Sequence, residues 1–522
     1  MKKNLIFNTL SLAAVALLAT ACAGNDLEVD IPDVTAPEYV GATPTVSENV
    51  LLYGEKTITV SFDKNIGFAT KNASLITLNG TPVKSANVLG ASKDLTIVAD
   101  VNFDRRQTLV IPAGLLIGPS GHVYDKEITL TWEVKDLPSN AAAQMTQQLG
   151  WGWNLGNHFD TSNTQWGYWD GATPSAALFQ KLAAAGAKTV RIPTTWTCHM
   201  NDQNVIDAAY LDEVAGVVDL ALAANLNVIL NTHHDSFETD LAFAADDTEL
   251  ATADSALICT LWTQVANRFK DYGEKLIFET FNEIHGAAKD DEGNIYEDWG
   301  TGSDAQFELL NQWNQYAVNA IRATGGNNAT RWIGVAGFAA NIDLTLEHLE
   351  LPNDPANRIM VGVHCYDPYN FCLHPMNDDG TVIANSWGHN ADPNLSVSGA
   401  NEEYVIAQLY KLRTAYIEKG IPCYLGEYGC VVQTTELANQ FRQYYLEFFC
   451  RAAYLAGIPM FVWDNNVANG GNEANGYVDH NTGDFLADGA TVVPLMVKAC
   501  TSTDNSYWFD TIWNHSPQAA AQ

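Results

Sequence analysis

Three things are scarce in this chain, and each scarcity removes a class of function. Basic residues are few: 27 Lys and Arg stand against 61 Asp and Glu in 522 residues, a net charge of −34. Nucleic-acid binding draws on a basic surface that displaces counterions from phosphates, so no nucleic-acid partner is expected. An acidic surface fits solubility and a neutral substrate. Long apolar runs are also lacking. The run from about Leu10 to Leu18 is too short to span a bilayer. It follows Lys2 and Lys3 and leads into Ala19-Thr20-Ala21-Cys22, the layout of an export signal. Cysteine motifs are the third absence. None of the nine cysteines forms a CxxC pair, so no thiolate metal site is read from them. An exported chain permits disulfides, but buried free thiols are the default and the spacing specifies no pairing.

What is present suits two or three domains with real cores: 522 residues, 47% of them hydrophobic. Cys22 after small residues resembles a bacterial lipoprotein acylation site, which implies residues 1–22 as signal peptide and a lipid anchor on Cys22. Residues 23–38 carry Pro32 and Pro37 and little apolar bulk, and read as a linker. From residue 39 to about 137 the pattern turns to short alternating runs. Lys56–Phe62, Leu95–Ala99, Leu109–Ile111 and Ile128–Val134 are punctuated by turns such as Asn79-Gly80. That spacing predicts an all-β sandwich of roughly immunoglobulin size, similar to the Ig-like modules that precede extracellular enzymes. Its role reads as a spacer.

From 138 to 522 strands and helices alternate. The strand runs begin at Gly150, Thr189, Asn227, Leu276, Trp332, Met360, Tyr424 and Pro459, with helical stretches such as Ser175 to Ala185 and Tyr210 to Ala224 between them. Eight β-then-α units predict an α/β fold of (β/α)8 TIM-barrel type, whose site lies at the C-terminal strand ends. Those ends carry Asn157, Arg191, His233 and His234, Asn282 and Glu283, His364 and Tyr366, Glu427, and Trp463. Leu276-Ile277-Phe278-Glu279-Thr280-Phe281-Asn282-Glu283 and Tyr424-Leu425-Gly426-Glu427 each run from apolar strand into a carboxylate. Ionised Glu is rarely buried without a partner, so both point to a site. Two carboxylates on two strand ends are what glycoside hydrolysis uses. A buried Arg at a strand end needs an anion, and Glu427 is the natural partner for Arg191. That cation keeps Glu427 ionised, while Glu283 must hold a proton near neutral pH in a drier setting. A separation of roughly 5–5.5 Å between the carboxyl groups is the retaining geometry.

The runs Gly150-Trp151-Gly152-Trp153-Asn154-Leu155-Gly156-Asn157, Val190-Arg191-Ile192-Pro193, Asn231-Thr232-His233-His234-Asp235, Phe281-Asn282-Glu283, Val363-His364-Cys365-Tyr366-Asp367-Pro368-Tyr369, Gly426-Glu427-Tyr428-Gly429 and Phe461-Val462-Trp463-Asp464-Asn465 together resemble family 5 glycoside hydrolases of clan A. Within that family the chain looks most like endo-β-1,4-glucanases and xyloglucanases. Ile284-His285 after Asn282-Glu283 departs from the Asn-Glu-Pro commonest there and leaves the substrate open. The resemblance implies Glu283 as acid/base and Glu427 as nucleophile. It implies Asn282 on the sugar 2-hydroxyl, Arg191 and Tyr366 against the nucleophile, His233, His234, His364 and Asn157 as hydrogen-bonding groups, and Trp463 as a sugar platform. The implied substrate is a β-glucan such as cellulose, mixed-linkage glucan or xyloglucan, with no cofactor and no metal. A monomer on the bacterial cell envelope, at the outer-membrane surface or in the periplasm, is expected.

Other readings stand beside these. A β-mannanase or glucomannanase uses the same machinery, and a non-catalytic glycan-binding lipoprotein or a metal-dependent barrel hydrolase remains open. His233-His234-Asp235 reads as hydrogen-bonding rather than metal-binding, because neighbours on a strand face opposite ways. Trp166, Tyr168, Trp169, Trp196, Phe237, Trp299, Tyr369 and Tyr477 follow strand ends, where some serve as platforms and others only pack. Residues 290–294 resemble a calcium loop in charge only.

Overall fold

The computed structural model describes residues 35–46, 54–70, 72–134, 136–162, 167–289 and 295–519. Cys22 and the export segment, the tether up to residue 34, Trp166 and residues 290–294 lie outside them. The described chain divides into two compact units.

The first unit takes the described residues of 35–46, 55–101 and 106–132. Two four-stranded sheets build it. One runs in the order Tyr39–Thr43, Gly54–Phe62, Asp94–Val101, Ser85–Asn87, and the other in the order Ile128–Glu133, Arg106–Ile111, Thr77–Leu78, Thr81–Pro82. Alternation decides which side chains enter its core. Ile58, Val60 and Phe62 of one strand are buried, as are Leu95, Ile97 and Ala99 of another, while the residues between them are not. Asn79 and Gly80 both take positive φ, as a tight two-residue hairpin turn requires.

The second unit is a closed barrel of eight parallel strands with helices between them. The strands are β1 (Trp151–Asn154), β2 (Thr189–Ile192), β3 (Asn227–Asn231), β4 (Leu276–Glu279), β5 (Ile333–Asn341), β6 (Ile359–Cys365), β7 (Cys423–Tyr428) and β8 (Met460–Val462), and β8 pairs back onto β1. Buried on both faces, they read as nearly continuous apolar runs. Helix starts are fixed by side chains that accept first-turn N–H groups: Asp207, Asp247, Ser303, Asn401 and Thr435.

Period-two alternation sorts the barrel interior into layers. Ile229, Ile277, Met360, Tyr424 and Phe461 pack together low in the barrel. The next inward positions up the strands are polar: Asn154, Arg191, Asn231 and Glu279. Tyr424 reaches from the apolar layer into the polar one, its hydroxyl donating to Glu279 Oε2 at 2.6 Å. Its ring fits because glycines flank it. A methyl group on Gly362 would lie 2.9 Å from the Tyr424 hydroxyl oxygen and 3.0 Å from Cζ. Gly362→Ala is therefore expected to cost about 1–3 kcal/mol through overpacking, read as a lowered Tm of the purified protein.

Candidate active site

The polar layer is organised around Arg191, which is fully buried. Its guanidinium donates from Nε and Nη2 to Glu279 Oε1 at 3.0 and 2.7 Å, and from Nη1 to Glu427 Oε1 at 2.7 Å. Nη2 also reaches Asn282 Oδ1 at 2.8 Å and Nη1 reaches Asn154 Oδ1 at 3.1 Å. So Arg191 has two anionic partners where the sequence pointed to one. Burial is the largest single influence on the Glu279 carboxyl and would raise it, but the Arg191 charge and the hydrogen bonds from Arg191 and Tyr424 act together against it and the net shift is downward.

Strict alternation would turn Gly426 inward and Glu427 outward. Instead the β6–β7 register slips: Val363 pairs with Leu425, then His364 pairs with Glu427. This β-bulge turns Glu427 into the barrel mouth. There Tyr366 donates to Glu427 Oε2 at 2.9 Å. His233 Nε2 stands 4.0 Å from Glu427 Oε1 and His364 Nδ1 3.8 Å from Oε2.

Glu283 follows β4 by four residues, and its Oε1 lies 2.5 Å from His364 Nδ1. Carboxylate oxygens of Glu283 and Glu427 approach within 4.8 Å of each other, and a His364 ring nitrogen lies within the same distance of both, nearer to Glu283. The surroundings of the two carboxylates differ. Glu427 sits on a guanidinium. Glu283 is held by desolvation first, with the Glu238 charge adding to it, and its pKa is pushed up to about 7. Burial also brings His364 down to about 4, so the ring between the two carboxylates is neutral near pH 7.

His233 and His234 do not face opposite ways. β3 ends at Asn231, and the two rings lie side by side with centroids 4.5 Å apart. Asp160 joins them, and one ligating atom from each of the three falls within 4.8 Å of the others. Alternation failed as a guide because these residues belong to a loop. Hydrogen bonding nonetheless describes the cluster better than metal ligation. Asn231 Oδ1 accepts the Thr194 N–H at 3.0 Å, which fixes its amide, and Asn231 Nδ2 then lies 3.2 Å from His233 Nδ1. His233 Nδ1 must accept, its proton sits on Nε2, and a protonated nitrogen has no lone pair for a metal. His234 Nδ1 meets Glu238 Oε2 at 3.0 Å. Burial alone would lower His234, but this bond and the Glu238 charge raise it to about 9.

The remaining positions sort by exposure. Asn157 sits at φ 60° in the loop after β1 and bonds through its backbone, to Asp160 Oδ2 and the Asp170 N–H. Trp463 stacks parallel to His233, with centroids 5.8 Å apart and planes 6° apart. Trp169, Trp299 and Tyr369 are exposed, whereas Trp196, Phe237 and Tyr477 are fully buried and pack. Among the described residues eight cysteines are free, six of them buried. Sequence reasoning passed over Glu279, Asn154, Asn231 and Tyr424. Alternation offered the signal, since Glu279 is in phase with the inward Ile277.

A family model described as cellulase, glycosyl hydrolase family 5, matches residues 151–469. Endoglucanase A of Clostridium longisporum is 32% identical over 347 residues, which are 64% of this chain and 62% of that protein. The match thus spans less than two thirds of that relative's length. Among solved structures, a GH5-4 broad specificity endoglucanase from Bacteroides salanitronis is 40% identical with a TM-score of 0.63, covering 70% of this chain and 97% of its own. A lichenase from Caldicellulosiruptor sp. F32, solved with cellotetraose, is 30% identical with a TM-score of 0.61, covering 70% of this chain and 97% of its own.

Glu279→Gln removes one of the two anions from the buried guanidinium and is expected to cost about 3 kcal/mol. The Glu279 pKa lies below its ordinary 4.5 in the folded chain, so the contribution is present at neutral pH and fades as pH falls through that lowered value. Melting curves of the parent and the variant should therefore converge in acid.

Proposed function

Because the chain belongs to glycosyl hydrolase family 5, we propose that it is a retaining, endo-acting hydrolase of β-1,4-linked glucans. One observation carries the reading: the Glu283 and Glu427 oxygens lie within 4.8 Å of each other in unlike surroundings. That spacing leaves no room for a water between carboxylate and sugar, and suits direct attack.

Glu427 is the nucleophile. Its bonds to Arg191 and Tyr366 aim it. It attacks the anomeric carbon while Glu283, protonated near neutral pH by its burial, gives its proton to the departing glycosidic oxygen. Water then attacks the same carbon, Glu283 takes the water's proton, and the Glu427–sugar bond breaks. Asn282 spends its carbonyl on Arg191, which leaves its NH2 for the sugar 2-hydroxyl. His364 steadies Glu283, and Trp463 with His233 forms the floor under the sugar. His234 and Asn157 line the surrounding loops, where sugar hydroxyls reach them. Exposed Trp169, Trp299 and Tyr369 fit a polymer that crosses several sugar sites. Cellulose-type chains, mixed-linkage glucan and xyloglucan are the substrates this reading favours, with β-mannan as the alternative. The first unit is an Ig-like spacer, and acylated Cys22 tethers a monomer to the bacterial cell envelope.

Glu427→Gln should lower kcat on the order of 10⁴-fold or more while glycan binding persists. Normal hydrolysis by that variant would remove the nucleophile assignment. The alkaline limb of kcat should fall through about pH 7, as Glu283 loses its proton, and should vanish in Glu283→Gln. Reducing-sugar release across soluble β-glucans and β-mannans identifies the polymer. Cys22→Ser should move the protein from the membrane to the soluble fraction.

A further inference from the structure

The loops after β1 and β8 hold a buried charge cluster, next to Trp463 in the chain, that the hydrolytic mechanism does not use. His480, Asp170 and Asp464 have fully buried side chains. His480 Nδ1 stands 2.8 Å from Asp170 Oδ2. His480 Nε2 stands 3.3 Å from Asp464 Oδ1, an ion-pair contact without hydrogen-bond alignment. A neutral imidazole has one N–H, so one ring nitrogen would turn a lone pair toward a carboxylate oxygen. Only the doubly protonated ring faces both carboxylates with hydrogen.

The two carboxylates belong to different loops. Asp170 lies in the loop after β1, where the Ala172 N–H and His158 Nδ1 also meet it, both at 3.0 Å from Oδ1. Asp464 directly follows Trp463 after β8. It accepts from Trp153 Nε1 at 2.8 Å and from the N–H groups of Asn466, Tyr477 and Val478. Its carbonyl holds the Gly156 N–H at 2.9 Å, and a methyl group on Gly156 would lie 2.8 Å from Trp463 Cζ2. The Trp463 ring thus rests on a backbone that Asp464 fixes. His480 lies beyond the stretch 151–469 that the family model matches.

We propose that His480 is a cationic pin that positions Trp463: it joins Asp170 to Asp464 and so locks the loop after β1 to the loop after β8. The inference rests on the reading of Trp463 as the sugar floor. The charged groups facing the ring are Asp170 and Asp464, with His158 behind Asp170. Neighbouring Asp479 is turned away, toward the N–H groups of Asn481 and Thr482. Burial alone would lower His480, but its bond to Asp170, its contact with Asp464 and the two negative charges hold it at about 9. A raised pKa means the pin's contribution is complete below the ordinary 6.5 and is lost as pH rises through about 9.

The test uses the full chain carrying Glu283→Gln, so that bound sugar is not cleaved. Cellotetraose affinity by calorimetry and Tm are measured from about pH 6 to about pH 10. With His480 intact, affinity should hold and then weaken about tenfold across the alkaline end. His480→Gln should bind about tenfold more weakly than the parent near pH 6 and match it at the alkaline end, with a lower Tm whose deficit closes in the same direction. His480→Arg keeps a cation throughout and should bind tightly without the alkaline loss. If His480→Gln keeps the parent's affinity and pH curve, the pin is overturned. If that variant does not fold, the arginine variant decides: retained alkaline weakening overturns the pin and its disappearance supports it. Trp463→Ala is run alongside. Unchanged cellotetraose binding there would remove the sugar-floor reading, and the melting curves would then decide the pin on their own.

Discussion

A guanidinium buried at the centre of a barrel is the constraint on which this structure depends. Arg191 cannot give up its charge, and water cannot reach it. Moving such an ion out of water costs several kcal/mol unless anions and acceptors replace the lost hydration. Glu279, Glu427, Asn282 and Asn154 do so, from β4, β7, the loop after β4, and β1. Tyr424 and Asn231 then hold Glu279. The layer beneath the site is therefore a closed network, and satisfying Arg191 also fixes where Glu427 stands.

The two glutamates at the mouth take different character from the same network. Glu427 shares the guanidinium with Glu279. Glu283, one layer higher, has His364 as its bonded neighbour and owes its shifted proton affinity mainly to dryness. His364 is neutral near pH 7, so it links the two carboxylates without adding a second cation. The outer loops repeat this arrangement with different groups: His480 stands between Asp170 and Asp464 as Arg191 stands between Glu279 and Glu427.

Much of this was legible in the chain. All eight barrel strands fall where short apolar runs mark them, because a strand buried on both faces leaves an unbroken apolar signature. Glu283 and Glu427 stood out for the converse reason, as carboxylates that end such runs. Glu279 did not, because it lies inside the run and its partner is distant in sequence. The buried Trp196, Phe237 and Tyr477 were indistinguishable in text from the exposed Trp169, Trp299 and Tyr369. A residue name does not record which side of a loop faces water.

The sequence by itself determined the barrel, its strand ends and the pair of carboxylates, since these follow from local periodicity and from the cost of burying charge. Only the tertiary structure decided which partners those charges have. The bulge that turns Glu427 inward, the second anion on Arg191, the side-by-side histidines and the buried His480 each arise from contacts between distant segments. Electrostatic energy depends on distance in space, and a linear chain does not carry that distance until it has folded.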